Sequence, residues 1–202
     1  MVTDTDIDHS GDDGPATGAW QEASEVGNPT ARAAWAEAAR PVLLEAARRY
    51  HAVVTYKDLA RQVQHSTGIR TTQQQHHWLG DVLRRVARVC ADQQEPNLGA
   101  LCVNAQGSVG QGYAAAVRDV TGETPEDPDA HAAAERLACY RYFEATGLPD
   151  DGGTPALVPE LAATRERARV RARRAAQEAR PVNTCPTCQM AIPATGVCDN
   201  CG

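Results

Sequence analysis

The 202-residue sequence is poor in aromatic side chains, in lysine and in long apolar runs. Aromatic residues make up only 4% of the chain, so its core has to be built from alanine, valine and leucine. Lys57 is the one lysine among 20 basic residues, and the others are arginines. No apolar run is long enough for a membrane span, and the acidic N-terminus is unlike a secretory signal. We therefore expect no contact with a membrane.

The cysteines are distributed in a way that argues against a disulfide framework. There are seven of them, an odd number, and four fall within the last eighteen residues. This distribution predicts a reducing, cytoplasmic compartment. The length predicts one or two domains with enough chain to bury a core.

Charge is distributed unevenly along a chain whose formal net charge is −6. Residues 1–26 carry seven acids and no base, whereas residues 31–121 carry eleven bases and seven acids. Residues 164–180 hold seven arginines and two glutamates. Because two separate segments are basic, the acidic total does not exclude binding to nucleic acid.

Composition and periodicity divide the chain into five parts. Residues 1–28, rich in Asp, Gly and Thr, predict a disordered acidic leader. It either only solvates the chain or is an acidic tail that mimics DNA or binds a partner. Residues 29–147 predict a helical domain, and residues 148–160 predict a linker. An Arg-rich helix is expected over residues 161–181, followed by a Cys-rich terminus over residues 182–202.

The first half of the helical domain has apolar residues at helical spacing. The stripe over residues 30–50 predicts a helix in which Pro41 causes a kink or a new start. Thr55 and Asp58 form a start like a capping box for a second helix over residues 56–64. A turn around Gly68 precedes a longer predicted helix over residues 72–91.

The hydrophobic period changes from helix to strand after Pro96. Residues 98–102 alternate, residues 104–107 have the composition of a turn, and residues 109–113 predict a return strand. The order helix, turn, helix and hairpin predicts a mainly α, winged-helix-like domain with a small β-hairpin. An all-α fold with an irregular loop is the alternative.

A further helix is predicted over residues 130–146, with Asp129 as its N-cap and Gly147 at its end. Its aromatic side, which includes Tyr140 and Phe143, is expected to dock on the domain.

The strongest motif is at the C-terminus, where two C-x2-C pairs are separated by nine residues. Four thiolates at this spacing suit tetrahedral Zn²⁺ and leave no position open for a substrate. We predict one structural Zn²⁺ bound by Cys185, Cys188, Cys198 and Cys201, with a redox dithiol as the alternative. The segment resembles the short zinc ribbons at the ends of many bacterial and archaeal proteins, which implies a structural site and no reaction.

Two basic or amide-rich segments are candidate contacts to nucleic acid. A helix-turn-helix places the first turn of its second helix in the major groove, where Gln and Arg read base edges. The candidates at that first turn are Arg70, Thr72, Gln73, Gln75 and His76. The candidate wing residues are Asn104 and Gln106. An ordinary polar helix start is the alternative.

The predicted C-terminal helix is a candidate arm that tracks phosphates. The arginines that would do so are Arg165, Arg167, Arg169, Arg171, Arg173 and Arg174. They lie on opposite sides of the helix, so a solvated spacer that holds the ribbon away from the domain is the alternative.

The central segment contains the run Thr-Tyr-Lys-Asp-Leu-Ala at 55–60, then Pro96, and then the Gly-rich stretch 107–113. In this order it resembles the winged-helix domain of alkylguanine-DNA alkyltransferase-like proteins, which implies DNA binding. The reactive cysteine of that family lies in a Pro-Cys-His-Arg motif that is absent here. Cys102 is followed by Val103 and Asn104, so the resemblance implies no alkyl-acceptor role.

No P-loop, nucleophile elbow or paired-histidine metal motif occurs, and no small-molecule substrate is evident. Four acids at Glu123, Glu126, Asp127 and Asp129 lie in a Pro-rich stretch that fits a solvated loop better than a nuclease site. We expect a non-catalytic DNA-binding protein, a regulator or accessory factor of a mobile-element or defence system. The alternative is a protein-interaction adaptor that binds a partner enzyme through the ribbon and the 130–146 helix. An enzyme ranks third.

Overall fold

The computed structural model describes residues 15–16, 18–179, 184–192 and 196–201. The chain divides into two compact units, Met1–Leu161 and Ala162–Gly202. Over the described residues the protein is mainly helical with two small sheets, which confirms the predicted mainly α class. In this part of the chain, no helix has the length and apolar character that crossing a membrane requires.

The predicted leader contains regular structure at its C-terminal end. Gln21–Glu22 form strand β1 and Ala23–Val26 form helix α1, in which the Ala23 side chain is buried. Strand β1 pairs in parallel with strand β3 (Ile69–Arg70). The folded domain therefore begins before residue 29. The prediction of disorder for residues 1–14 and 17 lies outside the described residues.

Helix α2 (Asn28–Ala47) packs against most other helices of the first unit. Its buried residues, which include Trp35, Ala39 and Leu43, recur at four-residue steps as predicted. The helix continues through Pro41, so a new start at that position is wrong. Pro41 and Glu37 are both exposed, and the Glu37 carbonyl that loses its amide partner can be hydrated.

Helix α3 (Tyr56–Thr67) begins where the sequence predicts. The Thr55 Oγ1 accepts a hydrogen bond from the Asp58 backbone N–H at 3.1 Å, and Gly68 ends the helix with a φ of 69°. The side chains that this helix buries are the predicted ones, Leu59, Ala60 and Val63.

The single helix predicted over residues 72–91 is in fact two elements. A short 3-10 helix spans Gln75–His77, and helix α4 spans Leu79–Asp92. Between them Trp78 is 1% exposed, and its ring centroid lies 4.3 Å from that of Trp35. The Trp78 Nε1 donates to the Gln73 carbonyl at 3.3 Å. This buried anchor holds residues 73–77 outside α4, so the candidates for its first turn precede the helix.

The predicted β-hairpin does not form among the described residues. A 3-10 helix spans Leu98–Leu101, and strand β4 (Cys102–Val103) pairs in parallel with strand β2 (Val54–Thr55). Helix α5 (Gly112–Thr121) begins where the return strand was expected. Asn104 Oδ1 accepts the backbone N–H groups of Gln106 and Ser108 and closes a compact loop, and the distant Asp129 carboxylate accepts the backbone N–H of Val109. The structure does not confirm a winged helix.

Helix α6 spans Pro128–Tyr142, an earlier start and end than the predicted 130–146. Asp127 rather than Asp129 is the N-cap, and its carboxylate accepts the backbone N–H groups of Asp129 and Ala130 at 3.1 Å. The aromatic side of the helix docks as expected. Tyr140 is 4% exposed, and its hydroxyl donates to the Ala52 carbonyl at 2.7 Å.

Residues 148–158 form no helix or strand but are hydrogen-bonded to the rest of the first unit. Arg141 donates to the carbonyls of Gly152 and Gly153 at 2.8 and 2.9 Å. The buried guanidinium of Arg136 donates to the carbonyls of Ala100 and Ala156. This segment is therefore docked structure and not a free tether, and helix α7 (Pro159–Glu178) follows it.

We expect Gly107→Ala to destabilise the first unit more than Gly122→Ala. Both glycines have left-handed φ angles, 81° and 83°, where an alanine costs about 1 kcal/mol. A Cβ at Gly107 would lie 2.8 Å from the Val158 side chain, whereas one at Gly122 meets open space. Urea unfolding should show losses of about 1 kcal/mol for Gly122→Ala and about 2–4 kcal/mol for Gly107→Ala. Equal losses would contradict this packing.

Candidate metal centre and nucleic-acid groove

The four C-terminal cysteines meet in one cluster of the second unit. Their Sγ atoms lie within 4.8 Å of one another, with 3.5 Å between Cys188 and Cys198 and 3.9 Å between Cys185 and Cys201. Tetrahedral coordination with metal–sulfur bonds of about 2.3 Å requires sulfur–sulfur distances of about 3.8 Å. The cluster therefore fits one metal ion held by four sulfurs.

A tight backbone turn positions the first cysteine pair. The Cys185 N–H donates to the Met190 carbonyl, and the Gln189 N–H donates to the Cys185 carbonyl, both at 2.8 Å. Thr184 and Ala191 form an antiparallel bridge, and Gln189 closes the turn with a φ of 58°. The local hydrogen bonds of this short hairpin fix the backbone that carries Cys185 and Cys188.

Backbone N–H groups also favour the thiolate form at the first pair. Hydrogen bonds from the N–H groups of Cys188 and Thr187 lower the pKa of Cys185 to about 6. The N–H group of Met190 lowers the pKa of Cys188, whereas a shared hydrogen bond with Cys188 raises the pKa of Cys201 to about 11. Because metals bind sulfur as thiolate, the first pair is prepared for a cation.

The other three cysteines belong to the hydrophobic core. Cys90, Cys102 and Cys139 are at most 1% exposed, and burial raises the pKa of each thiol. Protonated, buried thiols are poor nucleophiles at neutral pH. They are therefore core residues, as their apolar sequence neighbours predict.

A second candidate site is an open groove of about 1240 Å³ in the first unit, between α2, α3 and the 70–78 segment. Its lining includes three permanent cations and several amides, and no carboxylate side chain of the described residues lines it. We call it the cationic groove. Its polar lining residues are Lys57, Arg61, Gln62, Gln64, His65, Ser66, Arg70, Gln73, Gln74, Gln75 and His76.

Helix α3 provides one wall of the cationic groove because its polar residues share a face. Lys57, Arg61 and Gln64 follow the i, i+4, i+7 spacing that aligns side chains along a helix. Leu59 and Val63 lie on a different face and are fully buried. The apolar face thus fixes the helix on the core and directs the cationic face toward the groove.

Acidic residues at the edge of the groove pair with two of its cations. The Arg61 Nη2 lies 3.2 Å from the Asp58 Oδ1, and the Arg70 Nε lies 2.6 Å from the Glu22 Oε1. Exposed ion pairs of this kind contribute only about 0–1 kcal/mol, so either arginine can exchange its carboxylate for a phosphate. Lys57 makes no ion pair with any described residue.

The structure brings four of the five base-reading candidates into this groove. Arg70, Gln73, Gln75 and His76 line it, whereas Thr72 is exposed outside it. They reach the groove from β3 and the loop before α4, not from the first turn of a recognition helix. The candidate residues share a surface although the predicted element is wrong.

The wing candidates have a different setting. Asn104 is half-buried, and its side-chain carbonyl is occupied by two backbone N–H groups. Gln106 is exposed on the same loop. Neither residue lines the cationic groove. Asn104 therefore has a clear structural role, and Gln106 is a free surface amide in the part of the chain that the structure describes.

The arginines of α7 are exposed along positions 166–179, and Arg165 is half-buried. Among the exposed arginines, Arg167, Arg169 and Arg174 have partners on the same helix, namely Thr164, Glu166 and Glu178. Arg171 and Arg173 make no ion pair with the described residues. The helix has the open, cationic surface that both a phosphate-tracking arm and a solvated spacer require.

Sequence reasoning missed Lys57, Arg61 and His65 as residues of a shared surface. The spacing of these residues on one face of α3 is the pattern that could have identified them. Trp20, assigned to the predicted leader, also lines the groove. Its position depends on the pairing of β1 with β3, which local sequence patterns do not reveal.

Two of the four acids considered as a nuclease site, Asp127 and Asp129, have structural partners. Asp127 caps α6, and Asp129 Oδ1 accepts hydrogen bonds from the Ser108 hydroxyl and the Val109 N–H at 2.9 Å. Their carboxylates are therefore committed to holding the 104–109 loop and the start of α6.

Comparisons of the chain with protein-family models, with curated proteins and with solved structures find no match. The resemblance to alkylguanine-DNA alkyltransferase-like proteins gains no support from them. The cysteine cluster and the cationic groove are therefore the two features of the chain that indicate a function.

Proposed function

We propose that this chain is a non-catalytic DNA-binding protein, a regulator or accessory factor, that contacts DNA through the cationic groove. The observation that carries the proposal is a groove lined by Lys57, Arg61, Arg70 and several glutamines, with no carboxylate among its described lining residues. Cations supply affinity by neutralising phosphates, and glutamine amides pair with base edges, those of adenine above all.

Binding of random duplex and single-stranded DNA over a salt series tests this proposal. The three groove cations alone predict that log K falls with log salt with a slope of about −2.7 on duplex DNA and about −2.1 on single strands, and phosphate contacts from α7 would make the slope steeper. Failure to bind either form in about 50 mM salt would contradict the proposal, since electrostatic contacts are strongest there.

We also propose that the cysteine cluster holds one structural Zn²⁺. Four sulfurs at tetrahedral separations match the coordination that Zn²⁺ adopts in closed sites, and no coordination position is left for substrate or water. Two large apolar side chains of the same segment, Met190 and Val197, are 60% and 57% exposed. Because the segment buries little apolar surface, the metal supplies the energy that folds it.

We expect the arginines of α7 that lack local ion pairs to contribute phosphate contacts. Replacing Arg171 and Arg173 by Ala should weaken binding to all DNA sequences alike. It should also flatten the salt slope on duplex DNA by up to about 1.8, or about 0.9 per lost contact. The matched control is Arg48→Ala with Arg88→Ala, which removes two exposed arginines outside the groove and outside α7. An unchanged slope in the α7 variant would identify the helix as a spacer.

We expect Gln73 and Gln75 to determine sequence preference more than affinity. A good bidentate base contact discriminates by about 1–3 kcal/mol, so Gln73→Ala or Gln75→Ala should reduce preference for a selected site about fivefold or more. Non-specific affinity should change little. Gln106→Ala is the matched control, since this exposed amide lies outside the groove. If variants and wild type enrich the same sequences equally from a random pool, these glutamines do not read bases.

A second candidate function is a protein-interaction adaptor, which the exposed Met190 and Val197 of the ribbon favour. Helix α6 offers less to a partner, because Leu137 and Tyr140 are buried in the first unit. Of its aromatic residues Tyr142 is the most exposed, at 53%. This function takes precedence if the salt series shows no DNA binding.

A further inference from the structure

We infer that the acidic N-terminal segment, residues 1–14, occupies the cationic groove and competes there with DNA. The competition with DNA rests on the proposed function, whereas the contact between the segment and the groove does not. In the absence of DNA the segment binds the groove, so the chain inhibits its own binding to DNA.

The N-terminal segment joins the fold beside the cationic groove. The Ala16 N–H donates to the carbonyl of His65 at 3.0 Å, and the Gln21 N–H donates to the carbonyl of Gly68 at 2.8 Å. Both acceptors are at the C-terminal end of α3, and both His65 and Trp20 line the groove. The chain therefore leaves the described structure at the rim of the cationic groove.

The segment and the groove carry opposite charges. Residues 1–14 contain five aspartates and no arginine or lysine. The groove presents Lys57, Arg61 and Arg70 with no carboxylate among its described lining residues. One acid of the same N-terminal region, Glu22, already pairs with Arg70 at 2.6 Å. Further carboxylates from this region would meet cations of the same kind, including Lys57, which has no ion pair with the described residues.

The N-terminal segment is long enough to extend across the groove. Fourteen residues span up to about 45–50 Å when extended, enough to cover a groove whose rim is their point of attachment. A short tether gives its end an effective concentration of about 1 mM at a neighbouring site. A segment that binds the groove with a dissociation constant of only about 100 µM would thus weaken DNA binding about tenfold.

The test compares two full-length variants that each lose five acidic charges. The first replaces Asp4, Asp6, Asp8, Asp12 and Asp13 by Asn. The matched control replaces exposed acids that make no ion pair with the described residues, namely Asp92→Asn, Glu123→Gln, Glu126→Gln, Glu144→Gln and Asp150→Asn. Because the net charge changes equally, a general gain in affinity for an anionic polymer appears in both variants.

The DNA measurement is binding of a random duplex in about 50 mM and about 300 mM salt. We expect the N-terminal variant to bind about tenfold more tightly than the control at low salt, with the difference largely lost at high salt. Equal affinity of the two variants at low salt would overturn the competition.

A measurement without DNA separates this inference from the proposed function. Backbone amide resonances of His65 and Gln73 should differ between wild type and the N-terminal variant, and should coincide between wild type and the control. Coincidence of all three would overturn the contact. If none of the proteins binds DNA while these resonances differ, the contact stands and the DNA-binding proposal falls.

Discussion

Replacing Cys198 by Ser should reduce the bound zinc from one ion per chain to none and unfold the ribbon around the remaining cysteines. The substitution removes one of four sulfurs that lie within 4.8 Å of one another. Structural zinc contributes about 10–16 kcal/mol to the folding of segments that lack a core of their own.

The first unit should survive this change because it has its own hydrophobic core, built on buried residues such as Trp35, Leu43 and Val82. Metal analysis of the purified protein and its thermal unfolding curve measure the two effects separately. Cys90→Ala is the reciprocal control, since it opens a cavity in the core and leaves the cluster intact. It should lower the unfolding temperature and retain one zinc. A Cys198→Ser protein that keeps its zinc, or a wild type without any, would contradict the site.

Reversing charge on the α3 wall should weaken DNA binding by one to two orders of magnitude. Lys57 and Arg61 are exposed and lie one helical turn apart on the groove. Changing both to Glu removes two phosphate contacts and adds two repulsive charges. We expect affinity for duplex DNA in about 100 mM salt to fall by one to two orders of magnitude, about as much as a loss of several phosphate contacts.

The control for this change is Arg48→Glu with Arg88→Glu, an equal reversal at exposed positions outside the groove. Circular dichroism should show that both double variants keep the helical fold, since none of the four side chains is buried. Equal losses of affinity in the two variants would mean that net charge, and not the groove, governs binding.

The parts of the fold that the sequence predicts are those set by neighbours along the chain. The start of α3 follows from the Thr55 side chain, which accepts a hydrogen bond from the Asp58 backbone N–H. The Arg-rich α7 follows from its composition. The cysteine cluster belongs to the same class, because two C-x2-C pairs joined by a short segment have few ways to place four sulfurs apart.

The parts that could not be predicted depend on contacts between distant residues. The alternation after Pro96 is typical of a strand, yet a carboxylate from α6, that of Asp129, and the side chain of Asn104 hold this segment in another form. Trp78 similarly separates residues 73–77 from α4, because its indole is anchored against Trp35. Local periodicity contains no information about either anchor.

The cationic groove is intermediate between these cases. The residues with base-reading chemistry, Gln73 and Gln75, can be chosen from the sequence by type alone. That they face Lys57 and Arg61 follows only from the packing of α3 against α2 and from the loop before α4. The chemistry was therefore predictable, and the surface on which it lies was not.

The most direct measurement of the central claim is a map of where DNA touches the protein. Amide resonances of the full chain, titrated with a 12-base-pair duplex and with a 12-nucleotide single strand, provide it. We expect the largest shifts at Lys57, Arg61, His65 and Gln73, which line the groove. Shifts confined to the exposed Val89 and Val120 on α4 and α5, or no shifts at saturating DNA, would contradict it.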